Sequence, residues 1–267
     1  TRRKKRQPPE KKKDGKDYWD SMDAKEYETS FKLEEKYWWF VGQNQLVKKF
    51  LQQFYPEHKK KKFSFLDVGC GTGITLSIFS QYGKAQGIDI ADQAVHFCRK
   101  RGFTITKSDV MDINFADNSF DAVTSLGVFY HNGVTDDLKG FQEIYRVLKP
   151  GGRIFFLDCA MPSLYGKHDI AFHGIRRYTK KELQEKLEKA GFEIERITYY
   201  NTLLFPIVYL KRKLEKLSSA PPKSEVSAEI NPILNKLLTK MYCAELSLLK
   251  YMNFPVGVNV LAVAKKP

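Results

Sequence analysis

The chain has 267 residues, of which 42% are hydrophobic and 28% charged, and its formal net charge is +14. This length can bury a core, and the longest apolar run near the C-terminus falls well short of the roughly 20 residues that span a bilayer, so we expect a soluble or peripheral protein. The four cysteines lie far apart and lack metal-ligand spacing. We therefore predict no disulfide framework, no structural metal and a reducing, cytoplasmic location.

The N-terminal region differs in composition from the rest. Residues 1–16 hold nine Lys/Arg against two acids and lack large apolar side chains, so we predict a disordered basic tail. Residues 17–62 form a predicted N-terminal helical cap, because apolar residues recur at helical spacing over 17–56. The tail and the lysine run 59–62 are either solvated segments or contacts for an anionic membrane or a nucleic acid.

From residue 63 onward, short apolar runs alternate with helical stretches. The helices are predicted at 74–82, 91–101 and 134–148. The strands are predicted at 63–68, 85–90, 103–110, 120–126 and 153–159. Such alternation is typical of a doubly wound α/β domain, in which a parallel sheet carries helices on both faces. We assign this domain to residues 63–267.

The C-terminal third adds another helix and two strands. Thr179 and Glu182 form a capping-box pattern at the start of the helix, and Gly191 ends it. The segments "EIERITYY" and "GVNVLAVAKK" are the two strand candidates. Between them, about 203–252, we predict a helical insertion with a linker at 218–224. Its amphipathic helices either lie in a membrane interface or pack on their own domain.

The stretch "LDVGCGTG" carries the strongest chemical signal in the chain. Gly69, Gly71 and Gly73 follow a predicted strand and open a helix, but their spacing is not the G-x-G-x-x-G of a dinucleotide site. Asp67 beside the loop would repel a pyrophosphate and attract a cationic amino acid group. Asp89, at the end of the second strand, suits a ribose, and Asp109 suits an adenine amine. Ammonium, ribose and adenine together describe S-adenosylmethionine (SAM), which disfavours the alternative of an NAD-dependent oxidoreductase.

Four ordered motifs over about residues 63–160 resemble the class I SAM-dependent methyltransferase family. They are "LDVGCGTG", "GIDI", "SDVMDINFADNSFDAV" and "EIYRVLKPGGRIFF". The resemblance implies a Rossmann-like sheet of seven strands with the last strand antiparallel, inserted between the fifth and sixth. It also implies that the product is S-adenosylhomocysteine. The cofactor-binding residues that we expect are Asp67, Gly69, Gly71, Asp89, Ile90, Asp109, Val110, Ser125 and Leu126.

Two further elements resemble a type 11/12-like subgroup of that family. One is the W-W-F sequence at 38–40, and the other is an H-D-x-x-x-H-x-x-R-R-Y sequence that begins at His168. We expect one tryptophan to cover the cofactor or acceptor, and the arginines to hold an anion. The alternative is that these residues pack or pair structurally. The acceptor-side candidates are Trp38, Trp39, Tyr130, His168, Arg176 and Arg177.

A sulfonium methyl group is already activated, so in-line attack mainly requires positioning. His131 and His173 are the candidate bases for an acceptor that must lose a proton. We predict a small-molecule or lipid-like acceptor, with peripheral membrane contact as one option, and we disfavour nucleic acid because the positive charge lies in tails and loops. A catalytically silent SAM-binding partner subunit remains the alternative.

Overall fold

The computed structural model describes residues 24–57, 61–215 and 230–267. The predicted basic tail, half of the lysine run 59–62 and the linker at 218–224 lie outside the described residues, so these predictions stay untested. Within the described ranges, no helix is long and apolar enough to cross a membrane. All four cysteines are free thiols.

Two helices form the described part of the N-terminal region: α1 (Ala24–Leu33) and α2 (Trp38–Phe54). Residues 34–37, which the helical prediction over 17–56 included, separate them. Tyr37 has an extended backbone with ψ of 130°. The N–H of Trp38 donates to Asn235 Oδ1 at 2.8 Å, which gives one of the free donors at the start of α2 a partner. The break turns α1 away from α2 and toward the domain's glycine loop.

Seven strands form one sheet in the order β3-β2-β1-β4-β5-β7-β6. β7 is antiparallel to both β5 and β6, between which it lies, and this confirms the predicted topology. β3 has only two residues, and β5 begins earlier than predicted, so that it includes "KPGG". The strands are β1 (Phe63–Val68), β2 (Gly83–Asp89), β3 (Thr106–Lys107), β4 (Phe120–Leu126), β5 (Leu148–Cys159), β6 (Glu193–Tyr200) and β7 (Asn259–Lys265).

The other helices connect these strands. Thr179 caps one of them, because its side chain accepts from the N–H of Glu182, and Gly191 follows that helix with φ of +102°. These helices are α3 (Ile74–Phe79), α4 (Asp92–Lys100), α5 (Asp137–Val147), α6 (Lys167–Ala171), α7 (Lys180–Lys189), α8 (Phe205–Glu215) and α9 (Pro232–Leu248), with a 3₁₀ turn at Pro162–Leu164.

The sheet buries a hydrophobic layer on each face. Neighbouring residues of β5 point to opposite faces. Phe155 packs against Phe50 of α2 with ring centroids 4.6 Å apart, and Phe156 packs against Phe141 of α5 at 5.3 Å. Helices α2, α3 and α9 cover the first face, while α5 and α7 cover the second. Both layers therefore hold the strand ends firmly in place.

Helices α8 and α9 lie in the region predicted as a helical insertion. Tyr242 of α9 rests on α2 at Gly42, where an added Cβ would lie 2.2 Å from the ring. Glu245 of α9 accepts from the backbone N–H groups of Thr202 and Leu203, just after β6. These contacts fix α9 across the sheet face that α2 also covers.

Candidate cofactor and acceptor site

The carboxyl ends of four neighbouring strands bring polar side chains to one edge of the sheet. Asp67 comes from β1, Asp89 from β2, Ser125 from β4 and Asp158 from β5, and all four are buried. Ligands of open α/β sheets bind at this edge, at the point where the strand order reverses. The reversal lies between β1 and β4 here, so the edge is the candidate site.

The glycine loop lies directly above this edge. Its three glycines have φ of +69°, +52° and +83°, in the left-handed region that glycine tolerates best. A Cβ on Gly69 would lie 2.4 Å from Cγ2 of Val128, whereas a Cβ on Gly71 would meet nothing within 4 Å. The N–H of Gly69 donates to Ile88 O. The loop is thus anchored at Gly69 and faces open space at Gly71.

Asp67 lies beneath the loop and not at its surface. Its carboxylate accepts from Thr124 Oγ1 at 2.5 Å and from Thr75. Burial, together with the nearby charge of Asp89, raises the pKa of Asp67 to about 7. Direct contact with a cationic ligand group, as the sequence suggested, would need this carboxylate to be reachable, and only 3% of Asp67 is exposed. Its hydrogen bonds join β1 to β4 and to the start of α3, and its contact with the cofactor stays a prediction.

Asp89 makes contacts at both carboxylate oxygens. Oδ2 accepts from the N–H of Gly71 at 2.9 Å and Oδ1 from the N–H of Ala91 at 3.0 Å. The N–H of Ile90 and the hydroxyl of Tyr27 also donate to this carboxylate. Burial raises the pKa of Asp89, although these hydrogen bonds oppose the rise. The acid therefore ties the glycine loop to the end of β2.

The side expected to hold adenine is lined by apolar surface. Ile90 is 41% exposed, and Val110 is buried beside the core. The Asp109 carboxylate accepts from the N–H of Met111 at 2.8 Å, which fixes the short loop after β3. An exposed isoleucine directly after an acid that suits a ribose offers a platform on which a flat base can rest.

Ser125 and Leu126 end β4, close to the glycine loop. Ser125 is fully buried, yet its hydroxyl has no hydrogen-bond partner within the described residues. A buried unpaired hydroxyl is costly unless a ligand or water pairs with it. This orphaned hydroxyl, the open side of Gly71 and the exposed Ile90 fit the polar and apolar parts of SAM. No cluster of His, Cys, Asp or Glu within the described ranges is suited to a metal ion.

The structure brings together the two candidate bases. The N–H of Asn132 donates to the carbonyl of His173 at 3.0 Å, and that of Ile175 donates to Tyr130 O at 2.8 Å. The rings of Tyr130 and His131 lie 4.1 Å apart. Burial, assisted by the nearby charge of His173, lowers the pKa of His131 to about 4. His131 is therefore neutral at pH 7 and can accept a hydrogen bond, but so low a pKa makes it a weak proton acceptor.

The two arginines do not form the expected anion clamp. Arg177 is buried, and its Nε lies 2.8 Å from Asp169 Oδ1, in a pair that is almost fully shielded from water. Arg176 donates to Val134 O at 2.6 Å and lies 3.6 Å from Asp137. Arg177 thus serves internal partners, and the prediction of an acceptor-binding role is corrected for it. Nη1 of Arg176 is buried and has no hydrogen-bond partner within the described residues, so an acceptor-binding role of Arg176 stays a prediction.

The remaining acceptor-side candidates make packing contacts. Trp38 and Trp39 both lie edge-on to Tyr242 of α9, with centroids 6.2 and 6.1 Å away. Within the described residues, their ring contacts are to one another, to Tyr37 and to α9, so a role of either tryptophan in covering the cofactor or acceptor stays a prediction. His168 lies on α6 with its ring 4.7 Å from that of Phe172.

Sequence reasoning missed three residues that shape the site. Asp158 accepts from the N–H groups of Phe129 and Tyr130 at 2.8 and 3.2 Å, and so supports the loop that carries His131. Burial raises the pKa of Asp158 to about 7. An acid inside the apolar strand "FFLDC" is the signal that was available. Glu34 and Tyr27 had no comparable signal, because their partners lie far away along the chain.

Comparisons with known proteins agree with this geometry. Residues 66–156 match the family model described as "Methyltransferase domain". The chain is 32% identical over 151 residues to "Sterol 24-C-methyltransferase" of Yarrowia lipolytica, in an alignment that covers 49% of this chain and 39% of that protein. It is 30% identical over 149 residues to "Probable tRNA methyltransferase 9B" of Mus musculus, covering 54% and 33%.

Among solved structures, the fold resembles that of a Thermotoga maritima protein described as a "SAM-dependent methyltransferase, possible histamine N-methyltransferase". The TM-score is 0.55 at 18% identity, and the match covers 91% of this chain and 96% of the other. At this identity, the likeness shows the fold alone. The chain spans less than half of the two curated relatives.

Proposed function

We propose that this chain, which carries a class I SAM-dependent methyltransferase domain, moves the methyl group of SAM to a small-molecule or lipid-like acceptor by in-line attack. The observation that supports this most is the edge formed by the ends of β1, β2 and β4. It combines an open glycine loop, a carboxylate suited to a ribose and the buried, unpaired hydroxyl of Ser125. SAM supplies an activated methyl group when bound.

Each part of the cofactor has candidate partners on this edge. We assign the ribose to Asp89 and the adenine to Ile90, Asp109 and Val110. The methionine part would lie along Gly69 and Gly71, above Asp67, with Ser125 and Leu126 at the end of β4 below the reacting group. In this arrangement the backbone of the loop approaches the ligand closely, which a side chain at Gly71 would prevent. A side chain at Gly69 would instead meet Val128 and displace the loop.

The loop after β4 would supply the acceptor side. His131 is neutral at pH 7 because burial lowers the pKa of its ring to about 4. It can accept a hydrogen bond from a hydroxyl or amine and so orient the attacking lone pair. His173 and Tyr130 lie next to it. A ring with so low a pKa orients the nucleophile better than it removes a proton.

The exposed surface of α8 and α9 favours a lipid-like acceptor. Most of the large apolar side chains that are exposed within the described residues lie between 203 and 252. Ile207 is 66% exposed and Ile233 80% exposed, and lysines 211, 213, 236 and 240 belong to the same two helices. Apolar side chains flanked by lysines suit an interface of anionic lipid. α8 begins at the end of β6, on the same edge as the site.

Partitioning of a methyl label tests the proposed activity. Purified chain is incubated with methyl-labelled SAM and a crude cell extract, and label is counted in organic, aqueous and macromolecular phases. We expect label in the organic phase, and its loss with Asp89→Ala. Label in RNA alone would contradict the proposed acceptor class. SAM binding without transfer to any phase would favour the silent partner subunit.

Vesicle sedimentation tests the membrane contact separately. The chain should co-sediment with vesicles that contain anionic lipid and less so with neutral vesicles, because both charge and apolar contact contribute. Ile207→Asp should weaken binding, whereas Ile170→Asp, an equally drastic change at an exposed isoleucine of α6, should not. Equal binding by the two variants would contradict a role for α8.

A further inference from the structure

Helix α1 covers the carboxylate that we assign to the ribose. Tyr27 of α1 is only 3% exposed, its ring is nearly parallel to that of Phe97 on α4 at 6.4 Å, and its hydroxyl donates to Asp89. Phe31, one turn further along α1, packs against the same Phe97 ring at 5.0 Å. An aromatic face of α1 is therefore laid over the end of β2.

The end of α1 is tied to the glycine loop itself. Glu34, in the turn between α1 and α2, is buried and hydrogen-bonds both Thr72 of the loop and Arg101 after α4. The Arg101 guanidinium lies 4.6 Å from the centre of the Phe31 ring. These contacts hold α1 at its C-terminal end, so α1 can move about residues 34–37 without leaving the domain.

The Asp89 carboxylate has no acceptor position to spare. A carboxylate offers about four lone-pair positions, and the donors already in place are the N–H groups of Gly71, Ile90 and Ala91 and the hydroxyl of Tyr27. Three of these donors are backbone N–H groups, one in the glycine loop and two in the turn between β2 and α4. The Tyr27 hydroxyl is the one side-chain donor among them, and it can leave without breaking the loop.

We propose that the Tyr27 hydroxyl occupies the position on Asp89 that a ribose hydroxyl takes when SAM binds, so that α1 gates the cofactor site. The inference rests on the proposed function, because it takes Asp89 as the ribose partner. A ribose diol that approaches Asp89, which is 8% exposed, must displace Tyr27. The gate thus sets the affinity and the rate of cofactor entry.

Removing one hydroxyl tests the gate directly. Tyr27→Phe leaves the ring in place but leaves one acceptor position of the closed state unpaired, which raises the energy of the closed state alone. We expect titration calorimetry with S-adenosylhomocysteine to show about tenfold tighter binding. The 2′,3′-dideoxy analogue, which has no hydroxyl to compete, should bind the wild type and Tyr27→Phe equally. Tyr145→Phe, a change of the same kind near the opposite edge of the sheet, should alter neither.

Other outcomes separate the gate from the proposed function. Weaker binding of S-adenosylhomocysteine by Tyr27→Phe would mean that the hydroxyl contacts the bound cofactor. Unchanged binding would mean that the hydroxyl does not compete with the ribose. Either result would contradict the proposed gate but not the proposed function. Absence of binding by every variant would overturn the proposed function and the gate together. Hydrogen exchange supplies a second measurement: residues 24–33 should exchange faster with the ligand bound, and slower exchange would contradict the gate.

Discussion

The cofactor half and the acceptor half of the site are built differently. On the cofactor side, at the ends of β1, β2 and β4, most contacts join residues to their own loop or to the neighbouring strand, as between Asp89 and Gly71. On the acceptor side, after β4 and β5, charged residues find partners across the fold, as Arg176 finds Asp137. The cofactor half is thus a frame of neighbouring strands and loops that α1 joins from far along the chain, as Glu34 does at Thr72. The acceptor half combines a pair within one loop, Arg177 with Asp169, with partners from other elements.

The difference matters for the chemistry that each half can perform. Within the described residues, the cofactor half leaves Gly71 open and the Ser125 hydroxyl without a hydrogen-bond partner, so both are available to a ligand. In the acceptor half, Arg177 is paired with Asp169, and the neutral His131 lies beside Tyr130. Nη1 of Arg176 has no hydrogen-bond partner within the described residues. The acceptor that we propose would meet the neutral ring of His131 with its hydroxyl or amine.

The largest effect is expected where a buried charge pair would be broken. Arg177→Ala leaves Asp169 buried without its partner and should lower the free energy of unfolding by about 3–5 kcal/mol. Arg176→Ala, at a partly exposed pair, should cost about 1 kcal/mol. Chemical denaturation measures both. A small stability loss for Arg177→Ala, together with a large rise in the KM for the acceptor, would instead support the prediction that Arg177 holds an anionic group of the acceptor.

A smaller but site-specific effect is expected in the glycine loop. Gly69→Ala would place a Cβ 2.4 Å from Val128 at φ of +69°. Strain and overpacking of about 1–3 kcal/mol each should distort the loop and weaken SAM binding about a hundredfold. Gly133→Ala, where an added Cβ meets nothing within 4 Å, is the control. Equal affinities in a calorimetric titration would show that the loop does not approach the cofactor.

The pH dependence of stability tests the burial of Asp67. Its pKa is about 7 in the fold and near 4 when unfolded, so the folded state binds the proton more tightly. Stability from this group is present at low pH and is lost as pH rises through about 7. Asp67→Asn does not titrate in this range. The free energy of unfolding of the wild type should therefore fall by about 2 kcal/mol relative to that of Asp67→Asn when the pH is raised from 5 to 8. A constant difference would contradict the raised pKa.

The smallest expected effect separates positioning from binding. Asp158→Asn removes one acceptor from the carboxylate that supports Phe129 and Tyr130, so the loop that carries His131 should loosen. We expect about tenfold lower kcat in methyl transfer, with the Kd for SAM changed less than threefold. A large change in SAM affinity with kcat preserved would show that Asp158 supports cofactor binding and not the loop that carries His131.

Alternating apolar runs predicted the parallel sheet, because they are local signals. The resemblance to class I SAM-dependent methyltransferases implied the seven strands and the position of β7. Neither predicted the break between α1 and α2, which depends on Asn235 and Glu34 making contacts far along the chain. Asp158 was predictable in principle as an acid in an apolar strand. The partner of Arg177 was not, since residue type alone does not distinguish a buried ion pair from an exposed clamp.

Calorimetric titration of the wild type and of Asp89→Ala with SAM, and with NAD in parallel, tests the assignment of the SAM site. We expect SAM, but not NAD, to bind the wild type. Asp89→Ala should weaken SAM binding at least about tenfold, because the ribose loses a charged acceptor. Unchanged SAM affinity in Asp89→Ala, or binding of NAD in place of SAM, would contradict the assignment of this edge as the SAM site.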